Sequence, residues 1–535
     1  MIRSLFILFI VSKLFCLDIY SGGPISKDQE LIDVVFYDLN LKIDPDRKII
    51  SGYVEITFNL LGQPKNFEFD LIDSFDVLGV TINKMNLSFY QKNNKIFISN
   101  PFFDFEKPLI AIIKYSGSPP IAKKPPWDGG FSWEKSEDGR PWVAVSCQTN
   151  GAHIWYPCKE HPSDKSDYGA RVSITVPNPL IVASNGLLKS KNITKDKWTT
   201  WVWETKYPIG TYNINFTAGN FKKVEKTAYV LDKPLSLVFY VLPESIVGAK
   251  SLLNEAEEYL NFYANHFGQY PWIEEKFGLV ETPYWGMEHQ TINAYGNKYK
   301  KTQLGYDFLL FHEMGHEWWG NYLSVQDWSD FWIHEGFDTY AEAMFVEEKY
   351  GKEALKGFIK NRYKKNIKNL NAIVPKKNSK TNNKAGNDVY YKGAHILHML
   401  RYLIGFDVLK ETLKEFLYMP KERPNNQTTT EEFIKLIYQN TGKNIDWFFN
   451  QYLYNNNLPT LIVKREVKNQ KQFLELYWKE KNFCMPLEIS FTSFDGERNR
   501  KLTLNNSPIK IVIPKKSKLY IDPNNWILFN KNNEI

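Results

Sequence analysis

The sequence predicts an α+β chain of several domains: an N-terminal antiparallel β domain, a mainly helical middle and a C-terminal β-sandwich. Three observations carry this. Apolar residues alternate with polar ones from about Val34 to Phe221, recur at helical spacing from about Ala249 to Tyr452, and alternate again after Leu458-Pro459. With 535 residues, 43% of them hydrophobic, the chain can bury several cores, and its length suits about three or four domains. The net charge of +7 is spread over 67 basic and 60 acidic residues with no dense basic block, so nothing favours nucleic acid as a partner. Aromatic residues, at 16%, suit large cores and a stacking-rich pocket.

Residues 1–20 read as a signal peptide: Met1-Ile2-Arg3 is a short positive start and Ser4 to Ser12 an apolar run too short to span a bilayer. A secreted or periplasmic, cell-envelope location is expected. Lys13 breaks the run and no clean small-residue cleavage site follows, so an uncleaved hydrophobic N-terminus is the alternative. Cys16, with Lys13 and Phe15 ahead of it, fits a lipidation signal poorly. No later segment has the length and apolarity of a membrane span. Cys147, Cys158 and Cys484 are too few for a disulfide framework; the first two either pair or stay free and buried. Glycosylation sequons stand at Asn86, Asn192, Asn215, Asn426 and, before Pro508, at Asn505.

The β domain spans 21–243. Tyr37, Leu39, Leu41 and Ile43 alternate, Asp44-Pro45-Asp46 turns the chain, and Val54, Ile56 and Phe58 resume the pattern after Gly52. Clusters such as Ser116-Gly117-Ser118-Pro119-Pro120 and Pro177-Asn178-Pro179 separate further strands of a sandwich-type domain. The helical domain spans 244–456. Ala249 to Phe267 is one helix. Gln303 to Asn321 is another, apolar nearly all round and therefore buried, with Trp318 and Trp319 as core and Gly320 as terminator. Ser329 suits the N-cap of the next helix and Gly351 its stop; Thr429 and Glu432 have capping-box spacing before a helix ending near Gly442. Lys376 to Asn387 reads as a polar, mobile loop. Short strands such as Phe473-Leu474-Glu475-Leu476 fill the last domain, 457–535.

His312-Glu313-Met314-Gly315-His316, followed nineteen residues later by Glu335, carries the chemistry. Two histidines four apart on a helix reach one cation from the same face. This is zinc-hydrolase spacing, with Glu313 as general base rather than ligand. His312, His316 and Glu335 would hold one zinc ion per chain and leave its fourth position open for water. Neutral imidazoles and a single carboxylate leave the metal net positive, able to acidify its water and polarise a carbonyl.

The stretch from His312 to Asn321, with Trp332-Ile333-His334-Glu335-Gly336-Phe337, resembles the M1 zinc aminopeptidases, which include leukotriene A4 hydrolase and alanyl aminopeptidases. Trp285-Gly286-Met287-Glu288-His289 resembles the family's Gly-x-Met-Glu-Asn motif. Val389 to Ala394 resembles its Tyr-x-Lys-Gly motif, and Gln148 sits where the family places a Gln or Glu beside the substrate amine. The resemblance covers nearly the whole mature chain. It implies a thermolysin-like catalytic domain and cleavage of single residues from peptides with a free N-terminus, by metal-activated water with Glu313 as base. It implies that Glu288 anchors the amine with Gln148 assisting, that Gly286 and Met287 line the substrate, and that Tyr390 donates to the oxyanion while Tyr391 packs. Relatives usually carry Asn where this chain has His289 and His334, and Gly where it has Trp285. His289 therefore changes subsite shape or adds a titrating group, Trp285 stiffens the segment, and His334 fills a supporting position behind the ligands. His395 and His398 are expected to be structural. Many relatives carry a large C-terminal helical domain that this short form lacks, so a more open cleft and tolerance of longer peptides are expected. An endopeptidase, a hydrolase of a small non-peptide substrate and a catalytically silent binding protein on the same scaffold stay open as alternatives. Side-chain preference, physiological substrate and oligomeric state are not readable.

Overall fold

The structure, a computed structural model, describes residues 19–103, 107–383, 385–421, 425–493 and 496–534. The expected signal segment up to residue 18, with Cys16, lies outside them.

Two long strands, Ile32–Asp44 and Ile49–Leu60, form an antiparallel pair around the Asp44-Pro45-Asp46 turn, with Ile32 opposite Leu60 and Asp44 opposite Ile49. All seven apolar residues of the expected alternation, from Tyr37 to Phe58, are buried. The pair sits inside an eight-stranded sheet. That sheet is mixed rather than wholly antiparallel. Ala170–Pro177 returns to the open edge of Ile32–Asp44 after a long excursion and lies parallel to it, Tyr37 opposite Ala170, as a crossover connection permits. A four-stranded sheet contains Pro141–Ser146, whose end delivers Gln148 toward the helical region. Cys147 and Cys158 are free and buried, and burial pushes both thiols up. Asn215 is buried and donates Nδ2 to the Val145 carbonyl at 2.8 Å, so its sequon is closed to glycosylation, whereas Asn86, Asn192 and Asn505 are exposed.

Lys222–Val230 and Lys233–Val241 join Phe277–Glu281, Asn293–Tyr295 and Gly286–Met287 in a five-stranded sheet, so the sheet of the helical region begins upstream of residue 243. Gly286–Met287 is its edge strand. Helices α1 (Ile246–Phe267) and α2 (Phe308–Gly315) pack against it, α3 (Trp332–Tyr350) packs on α2, and α4 (Asp388–Ile404) packs on α3. The second helix is shorter than its apolar pattern suggests. Gly305 (φ +88°) turns the chain before it, and Asp307 caps it by accepting from Leu310 N at 3.0 Å. After Gly315 the bonds change to Asn321 N on His316 O and Tyr322 N on Glu317 O, a wider turn closed by Gly320 (φ +137°). Trp318 and Trp319 are fully buried core, as expected.

Ser329 is not the cap ahead of Glu335. Asp327 is: its carboxylate accepts from Ser329 N at 2.8 Å and starts a 3-10 turn, Trp328–Asp330, that feeds α3. Gly351 (φ +87°) stops α3. Thr429 accepts from Glu432 N at 3.2 Å and left-handed Gly442 ends that helix, while Glu432 accepts from the Thr428 hydroxyl at 2.5 Å. The polar loop is pinned at Asn378 and Thr381. Asp327 accepts from Asn378 N at 2.7 Å, and Thr381 N donates to Ser21 O at 3.0 Å. The chain ends in two small sheets of four and three strands. Among the described residues no helix is long and apolar enough to cross a membrane.

Candidate active site

The second and third helices bring His312, His316 and Glu335 to one point. The two imidazole Nε2 atoms lie 3.3 Å apart, and Glu335 Oε2 stands 3.4 Å from His316 Nε2 and 3.6 Å from His312 Nε2. A tetrahedral zinc ion with ligand bonds of about 2.0–2.1 Å has ligand-to-ligand edges of roughly 3.3–3.4 Å. The triangle therefore has the size of one face of that tetrahedron. Glu335 Oε2 is buried and has no hydrogen-bond partner among the described residues, which is how an atom kept for a metal would look.

The outer ring nitrogens are already committed. His312 Nδ1 lies 2.6 Å from Asp338 Oδ2, and His316 Nδ1 lies 2.9 Å from the Trp319 carbonyl. With those protons placed outward, both Nε2 lone pairs face the common point. Asp338 also falls within a possible His312–His316–Asp338 ligand group. Because it engages Nδ1 while Glu335 faces Nε2, it orients the ring rather than shares the ion. Tyr263 fixes Asp338 through a 2.7 Å bond to Oδ1. Gly315 makes room for it: a Cβ there would stand 1.6 Å from Asp338 Oδ1. Burial alone would lower His316, yet Glu335 outweighs it and pushes the imidazole up to about 10. Burial would raise Glu335, but neighbouring His316 holds it well below the usual carboxylate range. The pocket's field favours positive charge at this point.

Glu313 leaves the same helix toward the edge strand. A Cβ at position 286 would meet its Oε1 at 2.4 Å, so only glycine lets the carboxylate lie there. Burial pushes Glu313 up to about 8, His312 opposing and Glu288 adding. Carboxylate oxygens of Glu288 and Glu313 and a His316 nitrogen all lie within 4.8 Å of one another. Gln148 Nε2 and, at 3.1 Å, the Tyr212 hydroxyl donate to Glu288 Oε1, while Asn321 Nδ2 holds its backbone carbonyl at 2.8 Å. Met287 buries against Ala144, Tyr284 and Ala294 and so fixes the strand between Gly286 and Glu288. Tyr390 donates to Glu335 Oε1 at 3.0 Å, and burial followed by Glu335 raises its phenol far above the ordinary range, so it stays a donor.

All nine candidate residues, Gln148, Gly286, Met287, Glu288, His312, Glu313, His316, Glu335 and Tyr390, are thus gathered around one cluster. Tyr212, Asp338 and Tyr263 belong to it too and escaped the sequence reading. His289, His334, His395 and His398 are structural. His289 is fully buried, accepts from Asn215 Nδ2 at 3.1 Å and is pushed down to about 3 by burial, so it adds no titrating group to the pocket near neutral pH. His334 accepts from Val325 N at 3.1 Å and so ties the start of α3 to the strand ahead of it. His398 stacks on Trp526 with centroids 4.5 Å apart, and His395 is fully buried. Tyr391 packs against the main core.

Two histidines from one helix, a glutamate from the next and a second glutamate between the histidines define the zincin class of metal site. Within that class the chain belongs to peptidase family M1. Residues 252–452 match the peptidase family M1 domain and residues 34–213 the peptidase M1 N-terminal domain. Endoplasmic reticulum aminopeptidase 1 of Mus musculus is 24% identical over 294 residues, 51% of this chain and 31% of that protein. Glutamyl aminopeptidase of Bitis rhinoceros is 23% identical over 373 residues, 65% of this chain and 38% of that protein. The chain thus spans about a third of the length of these curated relatives. An M1 zinc metallopeptidase from Deinococcus radiodurans, crystallised with a Tyr-Ser-Ala substrate, shares the fold at TM-score 0.68 and 20% identity, over 82% of this chain and 96% of its own. Legionella pneumophila aminopeptidase A shares it at TM-score 0.75 and 18% identity, over 94% of this chain and 60% of its own.

Proposed function

We propose that the chain is a zinc-dependent aminopeptidase that removes single residues from peptide N-termini. One observation carries the reading: the Glu288 carboxylate, held by Gln148 and Tyr212, stands beside Glu313 and the His312–His316–Glu335 triangle. A buried carboxylate at a fixed step from the reacting centre selects a protonated amine and aligns the first peptide bond. An endopeptidase would need that end of the cleft clear of such a charge.

His312, His316 and Glu335 would hold one zinc ion. Bound there, it supplies Lewis acidity toward the scissile carbonyl and a polarised water. Glu313, whose affinity for a proton is raised by burial, takes the water's proton and returns it to the leaving nitrogen. The Tyr390 phenol donates to the oxyanion of the tetrahedral intermediate. Gly286 and Met287 offer the edge strand along which the peptide lies. The apolar N-terminal run supports export of the enzyme, and the two C-terminal sheets are read as a sandwich.

The test is a panel of aminoacyl reporter substrates and short peptides, run with and without a chelator and with N-acetylated controls. Free-amine substrates are expected to be turned over, chelator to abolish turnover and zinc to restore it. Equal cleavage of capped substrates overturns the reading. Turnover of non-peptide esters or epoxides alone, or of nothing by zinc-loaded protein, would favour the small-molecule hydrolase or the silent binding protein.

A further inference from the structure

Two tryptophans stand exposed at the mouth of this cluster. Trp127 is 61% exposed and Trp285 42% exposed, and their rings lie 6.2 Å apart at 35°. Trp285 lies 5.9 Å from Phe308, which stacks on His312 at 5.4 Å. A row of rings therefore runs from solvent to a residue of the ligand triangle. Arg362 covers Phe308, its guanidinium 4.1 Å from the ring centroid and its Nε on Glu342, which fixes the inner end of the row. The outer end is fixed as well. Gly129 N donates to Asn150 Oδ1 at 2.5 Å, tying the segment that bears Trp127 to residues just past Gln148, and Gly296 N donates to the Trp285 carbonyl at 2.7 Å.

Direction follows from the edge strand. Glu288 lies on one side of Gly286, against which Glu313 rests, and Trp285 lies on the other. A peptide with its ammonium at Glu288 and its first carbonyl over Glu313 continues toward Trp285 and Phe308. At about 3.3 Å per strand residue, the three residues from Glu288 to Trp285 cover about 10 Å, the reach of an extended peptide's second and third residues.

We propose that Trp127, Trp285 and Phe308 form a specificity subsite that takes an aromatic side chain from the residue after the scissile bond, held against the exposed faces of the two indoles. This rests on the aminopeptidase reading and adds a side-chain preference to it. Offset or tilted ring pairs favour aromatic over small partners, and the leftover exposure of both indoles leaves face area for a third ring.

The test uses peptides Ala-X-Gly-Gly with X as Gly, Leu, Phe or Trp, and their N-acetylated forms, on the zinc-loaded full chain. Wild type is expected to show kcat/KM about tenfold higher for Phe or Trp than for Gly. Trp285→Gly and Trp127→Ala are each expected to cut that ratio about threefold or more, and Trp285→Phe to keep most of it. Calorimetric Kd values for the same peptides on Glu313→Gln protein should show the same ranking without turnover. A flat profile in wild type, or an undiminished ratio in the folded Trp285→Gly and Trp127→Ala proteins, overturns the subsite while leaving the aminopeptidase reading intact. Cleavage of the acetylated series as fast as the free one overturns that reading, and the subsite with it.

Discussion

Gly336 and Gly393 face each other where α3 crosses α4: a Cβ on Gly336 would stand 3.0 Å from the backbone of Gly393, and one on Gly393 would stand 3.0 Å from the Cα of Gly336. Each sits beside a residue of the site. Gly336 follows Glu335, and Gly393 lies one turn beyond Tyr390, whose hydroxyl reaches Glu335 at 3.0 Å. Close helix contact is what brings the phenol to the carboxylate. Gly393→Val, which adds a branched side chain against backbone that cannot rotate away, is expected to cost ~1–3 kcal/mol of stability. It should also lower kcat in protein that is still folded. Denaturant melts with kcat measured on the same preparation check this; full activity would show that the helix spacing does not set the site.

Glu313→Gln separates base from ligand. The amide keeps the shape but cannot take a proton, so kcat should fall about 10²–10⁴-fold. Metal analysis should still find one zinc per chain, because Glu335 rather than Glu313 closes the triangle. Loss of the metal along with activity would make Glu313 a ligand and undo the assignment.

Tyr390→Phe and Tyr212→Phe should fail differently. On the proposed mechanism the first removes the donor to the developing oxyanion and should raise the barrier by ~3 kcal/mol, seen in kcat with KM little changed. The second removes the 3.1 Å bond to Glu288 Oε1, so the amine anchor loosens and KM rises first. A steady-state comparison of both variants on one free-amine peptide distinguishes them, and matching losses would mean that the two phenols share a role.

The reach of the sequence shows in which residues were found. His312, Glu313, His316 and Glu335 are legible because helix geometry ties their spacing to a shared face. The strand Ile32–Asp44 is legible because one face is buried along nearly its whole length. Asp338 was within reach: it follows Glu335 by three residues on α3, hence on nearly the same face, and meets His312. Tyr212 was not, because it stands on the 3-10 turn Thr211–Asn213 while its partner Glu288 follows the edge strand 76 residues on, and only tertiary packing joins them. Ser329 misled because Asp327 accepts from its backbone N–H and starts the 3-10 turn ahead of α3. The parallel placement of Ala170–Pro177 is likewise a matter of where a long connection returns, which local periodicity does not record.

Asp338→Asn tests the orienting carboxylate. The amide can still accept from His312 Nδ1–H but no longer sharpens the ring's basicity, so zinc affinity should fall about 10–100-fold. Competition with a chelator of known affinity measures it. Unchanged affinity would reduce Asp338 to a packing partner of Tyr263.

His289 gives the chain a built-in acid sensitivity. It is fully buried, accepts from Asn215 Nδ2 through Nε2, and burial pushes it down to about 3 from an ordinary 6.5. His398 is likewise pushed down to about 3 by burial, and His395 lies well below its ordinary value for the same reason. Between pH 6.5 and 3 the unfolded chain therefore binds protons at these positions that the folded chain refuses. The unfolded state is favoured as pH falls, so stability is lost below 6.5 and is insensitive to these groups above it. Each such histidine adds about 1.4 kcal/mol per pH unit to that slope. His289→Asn keeps a polar acceptor for Asn215 without a titrating ring, so its unfolding free energy should fall less steeply between pH 6.5 and 5, by about 1.4 kcal/mol per unit, and run parallel to wild type above pH 7.5. Urea unfolding at half-unit pH steps measures both curves. Parallel curves throughout the acid range would mean that the folded protein protonates His289 in place, and that its burial is weaker than the packing around Asn215 implies.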